Sequence, residues 1–175
     1  IDGNHRHFGE NKVQEALEKW PKIKEKNKNI KLHMIGKLQT NKVKYCLPLF
    51  DYIHSLDSLK LADKIANEQV KKNFKPKIFL QINIGDEQQK SGIDLKNTGN
   101  FYSKIKNDFD LNIVGLMCIP PNVSNTKPFF EKMKQISEKI NLNELSMGMS
   151  NDYLDAAKYS ATFVRIGSKI FGARN

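Results

Sequence analysis

Residues 145–175 read LSMGMSNDYLDAAKYSATFVRIGSKIFGARN. A short apolar run ends in glycine, Met and Ser; a helix-compatible stretch follows; then a second apolar, β-branched run ends in Arg165-Ile166-Gly167-Ser168. The period of the apolar residues switches from that of a strand to that of a helix and back. Strand, helix, strand in so few residues is a parallel unit with a crossover, since a parallel neighbour cannot be reached by a tight hairpin.

Working back from this stretch, the same alternation recurs. Strands are predicted at 5–9, 31–35, 52–54, 77–84, 112–118, 145–147 and 162–166, and helices at 12–26, 40–47, 58–73, 99–107, 128–140 and 152–159. Seven strands with six intervening helices give an α/β chain with a parallel sheet, either doubly wound or a (β/α)8 barrel. The barrel is favoured because polar or glycine-bearing segments follow most strands (GEN, IGKLQTNK, HSLDS, NIGDEQQKSG, MCIPP, GMSND, IGSKIFG), and a barrel gathers such loops on one face. The GxGxxG fingerprint of dinucleotide folds is absent. A barrel requires eight strands. Ile1-Asp2-Gly3 reads as a helix end with a C-terminal glycine, so the expectation is that a first strand and most of its helix precede residue 1 and that 1–175 is one N-terminally incomplete domain.

Bulk properties narrow the function. Hydrophobic residues make up 39% of the 175 and charged residues 27%, and no apolar run approaches the roughly 18 residues of a membrane span. Cys46 and Cys118 stand far apart in apolar surroundings with no zinc spacing, which suits reduced core thiols in the cytoplasm. The net charge of +10 comes mostly from scattered lysines, with arginine only at 6, 165 and 174, so a solvated surface is expected and not a nucleic-acid groove.

The loops after the last two strands suit an anion. Gly148-Met149-Ser150-Asn151-Asp152 runs into a helix, whose free N–H groups and dipole favour negative charge. Gly167 allows close approach to the backbone and Ser168 offers a hydroxyl. Arg165, two residues before Gly167, is costly at a strand end unless it faces a ligand or a carboxylate. Each feature taken singly also reads as a helix cap or a tight strand end; together they suggest a phosphate cup.

Seven motifs in register carry a resemblance: HFGENKVQEAL (7–17), LHMIGKLQTNKVK (32–44), IHSLDSLKLA (53–62), LQINIGDEQQKSGI (80–93), IVGLMCIPP (113–121), LSMGMSNDYLDAA (145–157) and VRIGSKIFGAR (164–174). The chain resembles the YggS/PROSC family of pyridoxal 5'-phosphate homeostasis proteins, barrels of the alanine racemase N-terminal type. The resemblance implies that the cofactor phosphate is held by Ser150, Gly167 and Ser168, that Arg165 faces the pyridine nitrogen, and that Asn11 and Met149 lie near the ring. An arginine there keeps the ring nitrogen unprotonated and weakens the cofactor as an electron sink. The family's Schiff-base lysine, in a motif like AVSKTKP, has no match in this chain; Lys37 and Lys42 match other positions. The implied function is a non-catalytic pyridoxal phosphate carrier, buffering the cofactor or delivering it to apoenzymes that depend on it, expected as a monomer without nucleic-acid or membrane partners.

The alternative is an amino-acid racemase on the same fold. That chemistry needs a lysine on one face of the cofactor and an activated tyrosine on the other, usually from a second domain, and the chain ends directly after the last barrel loop, which favours binding. His5 and His7 could form a metal pair, but no third ligand follows at a useful spacing, so no metal is expected. His33 and His54 read as hydrogen-bonded core histidines, Asp86-Glu87 as loop structure, and Pro120-Pro121 as a strand stop.

Overall fold

The computed structural model describes residues 3–172. Strand β1 (His7–Glu10) leads to helix α1 (Val13–Lys26), β2 (Lys31–Met34), a 3-10 turn (Thr40–Lys42) continuing into α2 (Val43–Cys46), β3 (Tyr52–Leu56) and α3 (Leu59–Lys72). β4 (Lys77–Asn83) and a two-residue strand β5 (Ile93–Asp94) precede α4 (Thr98–Asp108), β6 (Asn112–Cys118) and α5 (Lys127–Lys139). The chain then forms β7 (Glu144–Met149), α6 (Tyr153–Lys158), β8 (Phe163–Arg165) and α7 (Ser168–Phe171).

The strands form one parallel sheet in the order β1-β2-β3-β4-β6-β7-β8, with β5 paired beside β4. The sheet curls until its two end strands face each other: the rings of His7 on β1 and Phe163 on β8 lie 5.8 Å apart. The result is a nearly closed barrel of parallel strands with helices outside. All seven expected strands and six expected helices are present, with ends moved by a residue or two. Two corrections apply. The helix expected over 40–47 is a 3-10 turn joined to a single α-turn, because Leu47 is already extended and Pro48 cannot continue it. β5 and α7 were not expected, being too short to show a period. The helix end proposed at residues 1–3 falls mainly on Ile1 and Asp2, which lie outside the described residues.

Two cores stabilise the barrel. The larger lies between sheet and helices: Val13, Ala16 and Trp20 form one face of α1 and pack with Leu32, Ile53, Ile78 and Leu80 of the strands. The smaller fills the barrel with inward-facing residues, Tyr52, Phe79 and Met117, joined by Val114 and Phe163. Phe163 sits among the rings of His33, Tyr52, His54 and Phe79, at centroid distances from 5.3 to 6.1 Å.

Local chemistry fixes the joints. Ser58 caps α3 by accepting the Leu61 N–H at 3.4 Å, and Asn73 ends it in the left-handed region, φ 47°. Asp51, at the turn into β3, accepts from the Lys24 ammonium at 2.6 Å and from the Leu32 N–H at 2.9 Å, tying α1 to β2. Gly115 on β6 is required by close approach: a Cβ there would stand 2.0 Å from the Glu144 carbonyl oxygen at the start of β7.

Candidate functional site

Because the strands are parallel, their C-terminal ends share one rim, and all six expected site residues fall there. Asn11 follows β1; Met149 ends β7 and Ser150 follows it; Arg165 ends β8; Gly167 and Ser168 open α7. Met149 and Arg165 are register partners across β7 and β8.

The two loops are joined. The Gly167 N–H donates to Ser150 Oγ at 3.3 Å, and Ser150 is only 7% exposed. Gly148, at φ +89° with its α-hydrogen against Ala156, makes the turn that carries Ser150 inward; a Cβ at 148 would lie 2.5 Å from that of Ala156. At Gly167 a Cβ would meet nothing within 4 Å, so protein packing does not call for glycine there and space is left beside the backbone. α7 begins at Ser168; the Ile170 and Phe171 N–H groups both donate to the Gly167 carbonyl at 2.9 Å, which leaves the Ser168 and Lys169 N–H groups at its leading end without a backbone acceptor among the described residues.

One expectation needs correcting. The helix after Gly148 was expected to offer its N-terminus to an anion, but Asp152, its N-cap, puts a carboxylate there, accepting the Met149 N–H at 2.7 Å. A carboxylate in that position already complements the helix dipole and would repel a second anion. The anion-compatible part of the site is therefore the Ser150, Gly167 and Ser168 side.

Arg165 points into the barrel. Its Nη1 donates to Ser146 Oγ and its Nη2 to the Cys118 carbonyl, each at 2.8 Å. No carboxylate pairs with it among the described residues. Burial lowers its pKa, opposed by the influence of Cys118 and Asp152. A guanidinium nonetheless stays protonated, so a positive charge is held at the rim by neutral acceptors with donors to spare. The Cys118 thiol is pushed up to about 12 by burial and is inert as a nucleophile.

Beneath Arg165 lies an arrangement not foreseen as a unit. Ser146 Oγ is 2.8 Å from His54 Nδ1; His54 Nε2 is 2.9 Å from His33 Nδ1; His33 Nε2 is 3.0 Å from His7 Nδ1. Burial, then the neighbouring imidazole of His7, depresses His33 to about 3, and burial takes His54 well below the ordinary imidazole value. The histidines stand head to tail and do not converge on a point; among the described residues no group of three or more His, Cys, Asp or Glu is arranged to hold a metal ion. His33 and His54 are hydrogen-bonded core residues, as expected, but His7 belongs with them and not with His5. The available signal was strand parity: each imidazole occupies an inward position of its strand.

Beside Asn11, between the loops after β1 and β2, lies a cleft of about 330 Å³ lined by Asn11, Lys12, Gln14, Lys37, Gln39 and Lys42. A Cβ at Gly36 would approach the Asn11 carbonyl oxygen to 2.2 Å, so Gly36 sets the height of the Asn11 loop. Asp86 and Glu87 serve loop structure: the Asn83 side chain bonds the Glu87 carbonyl and N–H, at 2.9 and 3.3 Å.

A parallel barrel with an anion-compatible rim and an unpaired arginine matches a known class. The chain belongs to the alanine racemase N-terminal domain family, whose model matches residues 1–175. Similar proteins include the pyridoxal phosphate homeostasis proteins of Aquifex aeolicus, 37% identical over 95% of this chain and 76% of the relative, and of Haemophilus influenzae, 40% identical over 96% and 75%. Among solved structures, PipY of Synechococcus elongatus with PLP bound is similar at a TM-score of 0.86 and 31% identity, covering 98% of this chain and 84% of PipY. Among the described residues no helix is long and apolar enough to cross a membrane.

Proposed function

We propose that this chain, as one domain, binds pyridoxal 5'-phosphate and serves the cell's supply of that cofactor as a carrier, without a turnover reaction of its own. The observation that carries the reading is the Ser150–Gly167 junction beside Arg165: a hydroxyl and leading helix N–H groups for a phosphate, next to a cation paired with no carboxylate. The residues fit the group. Ser150 and Ser168 would bond the phosphate oxygens, the open space beside Gly167 would admit them, and Arg165 would donate to the ring nitrogen. Met149, 37% exposed at the rim, packs on the ring, and Asn11 lies at the neighbouring strand end. When bound, pyridoxal phosphate supplies a reactive aldehyde and an electron-accepting ring; Arg165, a donor that does not give up its proton, leaves the ring nitrogen unprotonated and that acceptor weak. The names of the relatives and the PLP bound to PipY support the reading. We place the protein in the cytoplasm, as a monomer that hands its ligand to apoenzymes; the two free, buried cysteines suit a reducing compartment.

The test is titration with pyridoxal 5'-phosphate and with pyridoxine 5'-phosphate, which keeps the phosphate and ring but lacks the aldehyde. Saturable binding of both is expected, weakened about tenfold by Ser150→Ala and by Arg165→Met. Failure of both ligands to bind overturns the reading. Racemisation of an amino acid above the rate of the free cofactor would replace the carrier with an enzyme.

A further inference from the structure

The file His7–His33–His54–Ser146 ends on the one guanidinium that the proposed ligand would face, and its hydrogen bonds have a determinable direction. Arg165 can only donate, so Ser146 Oγ accepts from Nη1. Ser146 is fully buried, and its own hydrogen needs an acceptor; the structure offers His54 Nδ1 at 2.8 Å. His54 must therefore carry its proton on Nε2, which donates to His33 Nδ1; His33 in turn donates from Nε2 to His7 Nδ1. His7 is left with its Nε2–H at the exposed end of the file. The reverse direction would leave the Ser146 hydrogen without that partner in the interior, at the cost of an unmade buried bond.

We propose that His54, and through it His33 and His7, are positioning residues for Arg165: one outward-directed file of Nε2–H imidazoles that holds Ser146 Oγ as an acceptor for the guanidinium. Each donation polarises the next, so Ser146 Oγ accepts more strongly than a lone serine would. Burial holds His33 and His54 neutral and lowers His7 as well. Arg165 is thus fixed in place by dipoles instead of a carboxylate, and its full charge remains for the ligand. The stacking of His33 on Tyr52 at 4.1 Å and of His54 on Phe79 at 4.3 Å keeps the rings in plane with the file. The consequence for binding rests on the pyridoxal phosphate reading above; the tautomers do not.

The first experiment is nitrogen NMR of the full chain labelled at its four histidines, without ligand. The expected result is protonated Nε2 and unprotonated Nδ1 at His54, His33 and His7. Ser146→Ala should release this preference along the file, His7 included, a response that rings packed independently would not give. Protonated Nδ1 at His54, or a His7 signal unmoved by Ser146→Ala, overturns the proposal. The second experiment is pyridoxine 5'-phosphate affinity. His54→Phe should weaken it about tenfold, whereas His54→Asn, whose Oδ1 can take the place of Nδ1, should restore it to within about threefold. Unchanged affinity in His54→Phe overturns the positioning role. If the unsubstituted chain binds no ligand, the functional reading fails while the tautomer result stands or falls by itself.

Discussion

The imidazoles inside the barrel make the stability of this chain sensitive to mild acid. His33 stays neutral in the fold down to about pH 3, and His54 is likewise held well below the usual value, by burial in both cases. The Lys24 charge also lowers His33, while Asp51 opposes it; Arg165 and His33 lower His54. In the unfolded chain each returns to about 6.5. Below that value the unfolded state binds protons that the folded state refuses, so stability falls as the pH drops, by about 1.4 kcal/mol per pH unit for each histidine kept neutral. Above about pH 7 this contribution is fully present and flat. Urea midpoints between pH 7.5 and 5 should show the decline, and His33→Gln should remove part of the slope; a midpoint independent of pH over that interval would contradict the neutral file. Arg165 and Ser150 were legible as residues because a glycine-punctuated strand end beside an arginine is informative locally. The file was not: His7, His33, His54 and Ser146 lie on four strands, and only the curl of the sheet brings their inward faces together.

At the scale of elements, the alternation of apolar strands and amphipathic helices was readable almost throughout, since strands covered by helices have continuous apolar runs. What escaped reading was short: β5, two residues held beside β4, the four-residue α7, and the turn before α2. Two glycines join elements closely enough to test. Gly115→Ala drives a methyl into the Glu144 carbonyl and must separate β6 from β7; a cost near the top of the about 1–3 kcal/mol range for overpacking should lower the melting temperature by roughly 6–12 °C. Gly36→Ala meets the Asn11 carbonyl instead, so its main effect should be on the rim: weaker ligand affinity by titration, with a smaller change in melting than Gly115→Ala. Equal melting loss in the two variants would show that the Asn11 loop is part of the cooperative core.

For the molecule as a whole, the sheet has a centre and two ends. β4 and β6 are flanked on both sides, while β1 and β8 terminate the pairing path. Hydrogen exchange should therefore be slowest at Phe79–Ile82 and Leu116–Cys118 and fastest, among strand amides, at His7–Glu10 and Phe163–Arg165. Protection of β8 equal to that of β4 would mean that the end strands are held by more than the pairing described. The parallel α/β class followed from alternation and the choice of a barrel from the loops after the strands, whereas the degree of closure did not follow, because curl depends on register shifts such as those between β3 and β4 and between β7 and β8.

Trp20 is the single tryptophan of the chain, 6% exposed, and its indole N–H donates to Glu10 at 2.6 Å. Glu10 is the residue before Asn11, so the indole is tied to the strand end that carries the Asn11 loop. The protein thus carries its own optical reporter: a displacement of the Asn11 loop that moves Glu10 changes that hydrogen bond, and indole emission overlaps the near-ultraviolet absorption of a pyridoxal ring. Loading and release should be visible as quenching and recovery of native fluorescence, with no label attached.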